Sequence, residues 1–368
     1  MFASRDRLMV LAPHPDDESL ATAGLLQRAA ARGAATRVVF ATDGDDNPWP
    51  QRIAERRIWI GDTARARWGV RRRGESRAAL AALGLPEDAA IFLGFPDRGL
   101  TSLLLERAAS VVRALTEQIV AWRPSVLAMP SLRDRHPDHN ALAVLALDAI
   151  AGLPVDERPI VLTYVVHPPD AAVARTGLAV RLESAERDRK AQAVACHAAQ
   201  LCFHRRTARR AVTTPEHFAI ASAPVSASAP RAIRAASCDH GVLRLRLDGW
   251  AWRWRGATIL VVGRDRGRSA TFRVRLLAGR ARVLVQDGTS GAVVGCGYRT
   301  FRDGETIVAA GTPWAPGVTR FFVKLVTHGV FFDREGWVEG AVRGREPESG
   351  LQPSRVDLRG WLPAQALS

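Results

Sequence analysis

The chain has 368 residues, 47% of them hydrophobic, and a formal net charge of +15. That length supports one or two domains with real cores, and the apolar content excludes a largely disordered protein. The arginines are scattered rather than gathered in one block, so the charge favours anionic partners without choosing among nucleotide-linked sugars, anionic lipid surfaces and nucleic acid.

In chain order, Leu8–Ala12 reads as a buried strand and Ser19–Arg32 as a helix stopped by Gly33. Thr36–Ala41 is strand-like again and runs into the turn Thr42-Asp43-Gly44-Asp45. Helices are expected over Arg52–Arg67 and over Glu75–Leu83, the second ended by Gly84. Ala90–Leu93 is a short strand, Thr101–Trp122 a long helix and Ser125–Met129 another strand. Asn140–Ile150 then reads as helix, Pro159–Val166 as strand and Ala185–Gln200 as helix. This alternation predicts an α/β fold with a mostly parallel sheet flanked by helices. In such sheets ligands gather at the carboxyl ends of the strands.

The texture changes near residue 219. The small, uncharged, proline-punctuated run 220–230 reads as a linker. Beyond it the pattern has period two, as in Leu243-Arg244-Leu245-Arg246-Leu247. Strand-like runs at Thr258–Val262, Thr271–Leu277, Ala281–Gln286 and Arg320–Val326 predict a small antiparallel sandwich or barrel. The expected division is therefore 1–218, a linker at 219–233, and a β-rich, sandwich-like domain at 234–368. The run Trp250–Arg255 alternates Trp with Arg, which suits stacking on sugar rings and contact with phosphate. It equally suits a half-buried strand with Trp in the core, and packing is the favoured reading.

Four cysteines (Cys196, Cys202, Cys238, Cys296) have no close CxxC spacing and suit free thiols in a reducing compartment. Five apolar residues between Arg7 and Pro13 are too few for a signal-peptide core, and no apolar run is long enough to span a membrane. A cytoplasmic protein is expected, with peripheral association at a membrane as the variant.

The chemistry concentrates in two clusters. Pro13-His14-Pro15-Asp16-Asp17-Glu18 follows the first strand, and His136-Pro137-Asp138-His139 follows the strand at Val126–Met129. His14, Asp17 and His139 would supply three ligands in an open, catalytic zinc site rather than a closed structural one. Asp16 is then free as general base, and His136 can donate to an oxyanion, with a neighbouring carboxylate holding its imidazole protonated. Such a set predicts a metal-dependent hydrolase.

The same residues resemble the PIG-L/LmbE family of zinc-dependent N-acetylsugar deacetylases. The likeness rests on Pro13–Glu18, Thr42-Asp43-Gly44-Asp45, Arg72-Arg73-Gly74-Glu75, Leu93-Gly94-Phe95-Pro96-Asp97, Asp134–His139, Lys190 and His197–Leu201. It covers roughly residues 6–218, so its Rossmann-like layout says nothing of the β-rich part. The resemblance implies Zn²⁺ on His14, Asp17 and His139, with Asp16 as base. It implies His136 as oxyanion stabiliser supported by Asp138, and Arg72, Asp97 and Asp45 as contacts to a sugar. Asp45 stands where the family often has Glu, and Arg135 where it more often has Gly. Fe²⁺ is an acceptable substitute for Zn²⁺ in a His₂Asp set. The expected reaction removes acetyl from an N-acetylated amino sugar or its conjugate.

The alternatives are amide hydrolysis on a non-sugar or thiol conjugate, and a glycan- or anionic-surface-binding role for the β-rich part. Nucleic acid is not an expected partner. Against the functional roles stand structural ones: acidic residues capping a helix after Pro15, a solvated basic face at Arg71–Arg73, and a plain turn aspartate at Asp97. His167, His204, His217, His240 and His328 have no ligand-like spacing.

Overall fold

Strands β1 (Arg7–Ala12), β2 (Ala35–Thr42), β3 (Ala90–Phe95), β4 (Val126–Pro130) and β5 (Ile160–Tyr164) pair in parallel in the order β3-β2-β1-β4-β5. Two short antiparallel strands, β6 (Leu178–Val180) and β7 (Glu216–Ile220), extend the β5 edge. The computed structural model describes residues 2–171, 173, 177–221, 232–239, 242–247, 258–265, 268–276, 282–288, 290–302, 305–311, 318–326, 333 and 336–342.

The parallel strands read as unbroken apolar runs because both sheet faces are covered. Met9, Leu11, Val39, Leu127 and Met129 point to one face, under α5 (Leu100–Glu106), α6 (Ala108–Trp122) and α7 (Pro137–Ala151). Leu8, Val10, Val38, Phe40 and Ala128 point to the other, under α2 (Ala23–Ala31) and α4 (Asp62–Ala82). The remaining helices are α1 (Asp17–Ala21), α3 (Pro48–Glu55), α8 (Ser184–Cys196) and α9 (Ala198–Thr213).

Several helix boundaries depart from expectation. The long run Thr101–Trp122 breaks at Arg107, and the helix expected over Ala185–Gln200 breaks at His197. The pair expected at Arg52–Arg67 and Glu75–Leu83 is instead α3, ended by Arg56 in the left-handed region, and one continuous α4. Gly69 does not stop α4. A Cβ there would lie 3.1 and 3.3 Å from the Cβ atoms of Asp43 and Asp45, so glycine lets the helix pass close under that turn.

The second sheet closes into a barrel, one of the two forms expected. Its strands are β8 (Ile233–Asp239), β9 (Val242–Leu247), β10 (Thr258–Asp265), β11 (Arg268–Leu276), β12 (Arg282–Asp287), β13 (Val293–Arg302), β14 (Glu305–Gly311), β15 (Val318–Val326) and β16 (Val338–Val342). Neighbours are antiparallel except β16 and β8, which pair in parallel. On β9 the leucines fill the barrel and Arg244 and Arg246 face outward, as the period-two pattern requires.

Strand β10 lacks that alternation because both of its faces are buried. Ile259 and Val261 fill the barrel, whereas Leu260 and Val262, with Phe322 and Trp337, pack into the core around α7. Helix α7 is accordingly apolar nearly all round, lying between the parallel sheet and the barrel. Strand β7 runs to Ile220, and Ala221 N–H donates to Val161 O, so ordered sheet reaches past the start of the expected linker at 219. Residues 222–231 and the run Trp250–Arg255 lie outside the described residues. Cys196, Cys238 and Cys296 are free thiols. Among the described residues no helix is long and apolar enough to cross a membrane.

Candidate active site

In a doubly wound sheet the strand order reverses at the switch point, here between β1 and β4, and a crevice opens beyond their carboxyl ends. The segment after β1 carries His14, Asp16 and Asp17. The segment after β4 carries Asp134, His136, Asp138 and His139. A cavity of about 630 Å³ opens there, lined among others by His14, Asp16, Asp17, Asp97 and His136.

The backbone after β1 is strained and held so by its neighbours. Asp16 sits at φ 130°, a region that side chains rarely adopt and that surrounding contacts must enforce. Its N–H donates to Glu18 Oε2 at 3.0 Å, and the fully buried Glu18 is held in turn by Ser19 Oγ and His197 Nε2. The result points the Asp16 carboxylate into the cavity, 3.4 Å from Arg72 Nη2. Burial pushes Asp16 up to about 6, against the downward pull of Arg72.

Three donor atoms form a near-equilateral triangle. His14 Nδ1 is 3.3 Å from Asp17 Oδ2, Asp17 Oδ2 is 3.2 Å from His139 Nε2, and the two ring nitrogens are 3.3 Å apart. Ligands about 2.0–2.1 Å from a tetrahedral centre lie ~3.3 Å apart, so these atoms fit three corners around one small divalent ion. His14, His136 and His139 also approach closely enough to share an ion, as do His14, Asp97 and Asp138. The regular triangle favours the first set. It leaves the second nitrogen of each ligand imidazole on a carboxylate, the arrangement that orients a metal-binding histidine. His14 Nε2 lies 3.2 Å from Asp97 and 3.3 Å from Asp138, and His139 Nδ1 lies 3.2 Å from Asp134.

This crowd of carboxylates governs the histidines. Burial opposes protonation of His139, but Asp17 and Asp134 outweigh it and raise the group to about 10. His14 is likewise raised, with burial opposed by Asp97, Asp138 and Asp17. Positive charge is wanted at the triangle, which a bound cation would also supply.

Several expected roles shift. Asp138 does not support His136 through its carboxylate, which accepts from Arg98 N–H at 2.6 Å and Leu100 N–H at 3.1 Å and faces His14. His136 instead accepts Asp138 N–H at Nδ1, 3.2 Å away, which leaves its proton on Nε2. Burial, then His14, His139 and His167, hold His136 well below the usual range, so the imidazole is neutral rather than protonated. Asp97 lines the cavity, yet its oxygens go to His14 and to Asp46 N–H. Arg72 lines the cavity too, with its guanidinium donating to Gly44 O and Pro15 O beside Asp16. Asp45 is half-buried under α4 and does not line the cavity. Asn47, Pro48, Trp49 and Pro50 line it instead.

Sequence reasoning missed His167. It follows β5, lines the cavity, and its ring lies 5.2 Å from His139 and 5.6 Å from His136. Burial lowers it to about 4. The rule that found the other clusters, polar residues just past a parallel strand, would have found it as well. His167 also lines an adjoining cavity of about 560 Å³, with Arg133, Arg135, Arg206 and Arg210 around it.

Residues 9–150 match the family model described as PIG-L, GlcNAc-PI de-N-acetylase. A 1D-myo-inositol 2-acetamido-2-deoxy-alpha-D-glucopyranoside deacetylase of Mycobacteroides abscessus is 36% identical over 147 residues, 36% of this chain and 51% of that protein. A probable N-acetyl-alpha-D-glucosaminyl L-malate deacetylase 2 of Bacillus cereus is 24% identical over 194 residues, 52% of this chain and 83% of that protein. Among solved structures, a conserved protein of Thermus thermophilus is similar at a TM-score of 0.44 and 29% identity, covering 58% of this chain and 94% of that one. The chain spans about half the length of the inositol-type curated relatives it matches. The matched family segment ends with α7, before the barrel begins. The segment that carries both His/Asp clusters, residues 9–150, is a PIG-L-family domain.

Proposed function

We propose that the chain is a metal-dependent N-deacetylase that hydrolyses the N-acetyl amide of an amino sugar or its conjugate, releasing acetate and free amine. The observation that carries this reading is the triangle of His14 Nδ1, Asp17 Oδ2 and His139 Nε2 beside a carboxylate outside it, Asp16, in an open cavity. A divalent cation on these three residues would acidify a water and polarise the amide carbonyl; the set suits Zn²⁺ and accepts Fe²⁺.

The chain's own residues supply the rest. Asp16 is ionised at neutral pH and takes the proton of the attacking water, then returns it to the departing nitrogen. His136 presents Nε2–H to the oxygen that gains charge, as a neutral donor. Asp97, Asp138 and Asp134 fix the ligand imidazoles, and Arg72 keeps Asp16 ionised while tying the loops after β1 and β2 together. The N-acetyl names borne by the relatives support an amino-sugar substrate over a simple amide. The adjoining arginine-lined cavity gives a polar or anionic aglycone a place to extend. Residues 1–218 are proposed as the catalytic unit and the barrel as a separate unit.

The test is amine release from N-acetylglucosamine conjugates by metal-loaded protein, with Asp16→Asn as the blank. UDP-linked, lipid-linked and inositol-linked substrates belong in the panel, together with simple N-acyl amines and thiol conjugates. Release from none of the sugars, by protein with metal bound, overturns the amino-sugar reading.

A second reading, attachment at an anionic surface, is favoured by one patch, and it is not on the barrel. Trp49, Ile53, Ile58 and Trp59 are exposed on α3 and the loop after it, Trp59 to 87%, with Arg52, Arg56 and Arg57 interleaved. Exposed Trp and Ile among arginines suit a membrane interface, and Trp49 also lines the cavity.

A further inference from the structure

Among the described residues, the barrel makes its closest polar contacts with the segment that carries His136 and His139. Trp337 N–H donates to Leu132 O at 2.8 Å, and Asp333 N–H donates to Arg135 O at 2.7 Å. Arg135 Nε returns a bond to Asp333 O at 3.0 Å. The approach is tight enough that a Cβ on Gly336, which sits at φ +68°, would meet Leu132 O at 1.9 Å. The Trp337 side chain is buried in the core shared with α7.

One residue beyond His139, Asn140 is fully buried and spends its whole amide on this junction. Its Nδ2 donates to Asp333 Oδ2 at 2.6 Å and to Asp134 O at 2.9 Å, while its Oδ1 accepts from Lys324 Nζ at 3.1 Å. Lys324, only 2% exposed, is paired with Asp333. Asp134 then reaches the site: its carboxylate lies 3.2 Å from His139 Nδ1 and accepts from the N–H groups of His136, Val166 and His167. A continuous polar chain thus joins the barrel to one ligand imidazole and to both other histidines beyond β4 and β5. Farther along α7, Arg264 donates to Asp148 and Arg320 Nη1 approaches Leu147 O, so both ends of that helix are held.

Leu260, Val262 and Phe322 already supply an apolar layer against α7. A buried ion pair adds little to such an interface, because desolvation offsets the attraction; its use is to fix one register. We propose that the barrel is a built-in clamp on the site, with Lys324, Asp333 and Trp337 as positioning residues for the segment 132–140. This rests on the reading that His14, Asp17 and His139 hold a divalent ion, and it gives the part of the chain outside the family match a role in the same reaction.

The test uses full-length protein loaded with Co²⁺, whose visible absorption reports the ligand field at the ion. In Lys324→Met/Asp333→Leu the ion pair becomes an apolar pair, which leaves no charge buried alone, though Asn140 loses two of its three partners; the apolar contacts on α7 should keep the fold. Expected, in protein held below its melting range, are a shifted Co²⁺ spectrum, about 10- to 100-fold weaker Co²⁺ binding by chelator competition, and a lowered kcat at similar KM, with a thermal midpoint lowered by the unpaired Asn140 amide. Gly336→Ala keeps every charge but drives a methyl onto Leu132 O from a left-handed backbone, so its thermal midpoint should fall; below that midpoint its Co²⁺ spectrum, affinity and kcat should move in the same direction, and they decide the matter if the double variant does not fold. Wild-type spectrum, affinity and kcat in a folded variant overturn the clamp. Wild-type protein that takes up no Co²⁺ overturns instead the metal reading beneath it.

Discussion

His14 Nδ1 and His139 Nε2 stand 3.3 Å apart across 125 residues of sequence, and Asp17 Oδ2 closes the triangle at 3.3 and 3.2 Å. Two imidazoles and a carboxylate meeting at one point, with the second nitrogen of each imidazole on a further carboxylate, form a set that a small divalent cation can hold in place of the ring protons. His139→Ala should therefore abolish tight metal uptake, weakening it by more than the about 10- to 100-fold expected for loss of an outer partner. Metal content after dialysis, with competition against a chelator, checks this. Full retention of metal would remove His139 from the ligand set.

Asp16 is beside the triangle but outside it, and that separation predicts a split phenotype. Asp16→Asn should keep metal affinity near wild type and leave KM little changed, while kcat falls roughly 10²- to 10⁴-fold, the usual range for a lost general base. Steady-state kinetics on the best substrate of the panel would show it. A variant that keeps full turnover with metal bound moves the base elsewhere, and His167 is then the next group to change.

The strands, both clusters and the three ligand candidates were legible because they follow from local pattern: apolar runs, then His and Asp just past the carboxyl ends. What was not legible depends on partners distant in sequence. In the sequence Asp138 reads as the support for His136, and Asp97 as a sugar contact or a plain turn aspartate, but only the fold shows them meeting His14 from α7 and from the loop after β3. Helix breaks at Thr22, Arg107 and His197 fall in runs with ordinary helix propensity, and at His197 the side chain is drawn to Glu18 by tertiary contact. One signal was present and unused. The apolar faces all round Asn140–Ile150 mark a helix covered on both sides, and the barrel is the second cover.

The exposed patch on α3 and its following loop leads to a prediction about surfaces. Ile58→Ser/Trp59→Ser should leave turnover of a small soluble substrate unchanged and reduce sedimentation with phosphatidylserine-containing vesicles. Wild-type binding should weaken as salt rises, because exposed arginines supply part of the attraction. No sedimentation of wild type at low salt removes the membrane reading and leaves the catalytic one intact.

Lys190 on α8 and Glu216 on β7 form a fully buried pair at 2.7 Å, and Glu216 also accepts from Gly24 and Leu25 N–H at the start of α2. Lys190→Met strips the carboxylate of its cation while leaving it buried. The loss should be about 3–5 kcal/mol, as for other broken buried pairs, and is read by denaturant unfolding. Metal affinity in the folded variant should stay near wild type, because neither residue touches the triangle. A loss below ~1 kcal/mol, the range of an exposed pair, would mean that the carboxylate finds water on unfolding of the β7 edge alone.

His197 yields the pH dependence. Its ring is buried, which disfavours the charged form, but Glu18 at 2.9 Å outweighs burial and raises it above the ordinary value. A group whose folded value is raised binds its proton more tightly in the native state. Its contribution to stability is therefore complete below about pH 6.5, where the unfolded chain is protonated too, and fades as pH rises through the folded value. His197→Gln keeps a donor but removes the charge. The stability difference between wild type and His197→Gln, measured by denaturant unfolding, should be larger at pH 6 than at pH 9. A difference that grows toward pH 9 would mean that the neutral imidazole, donating to Glu18 without a charge, is the form the fold selects.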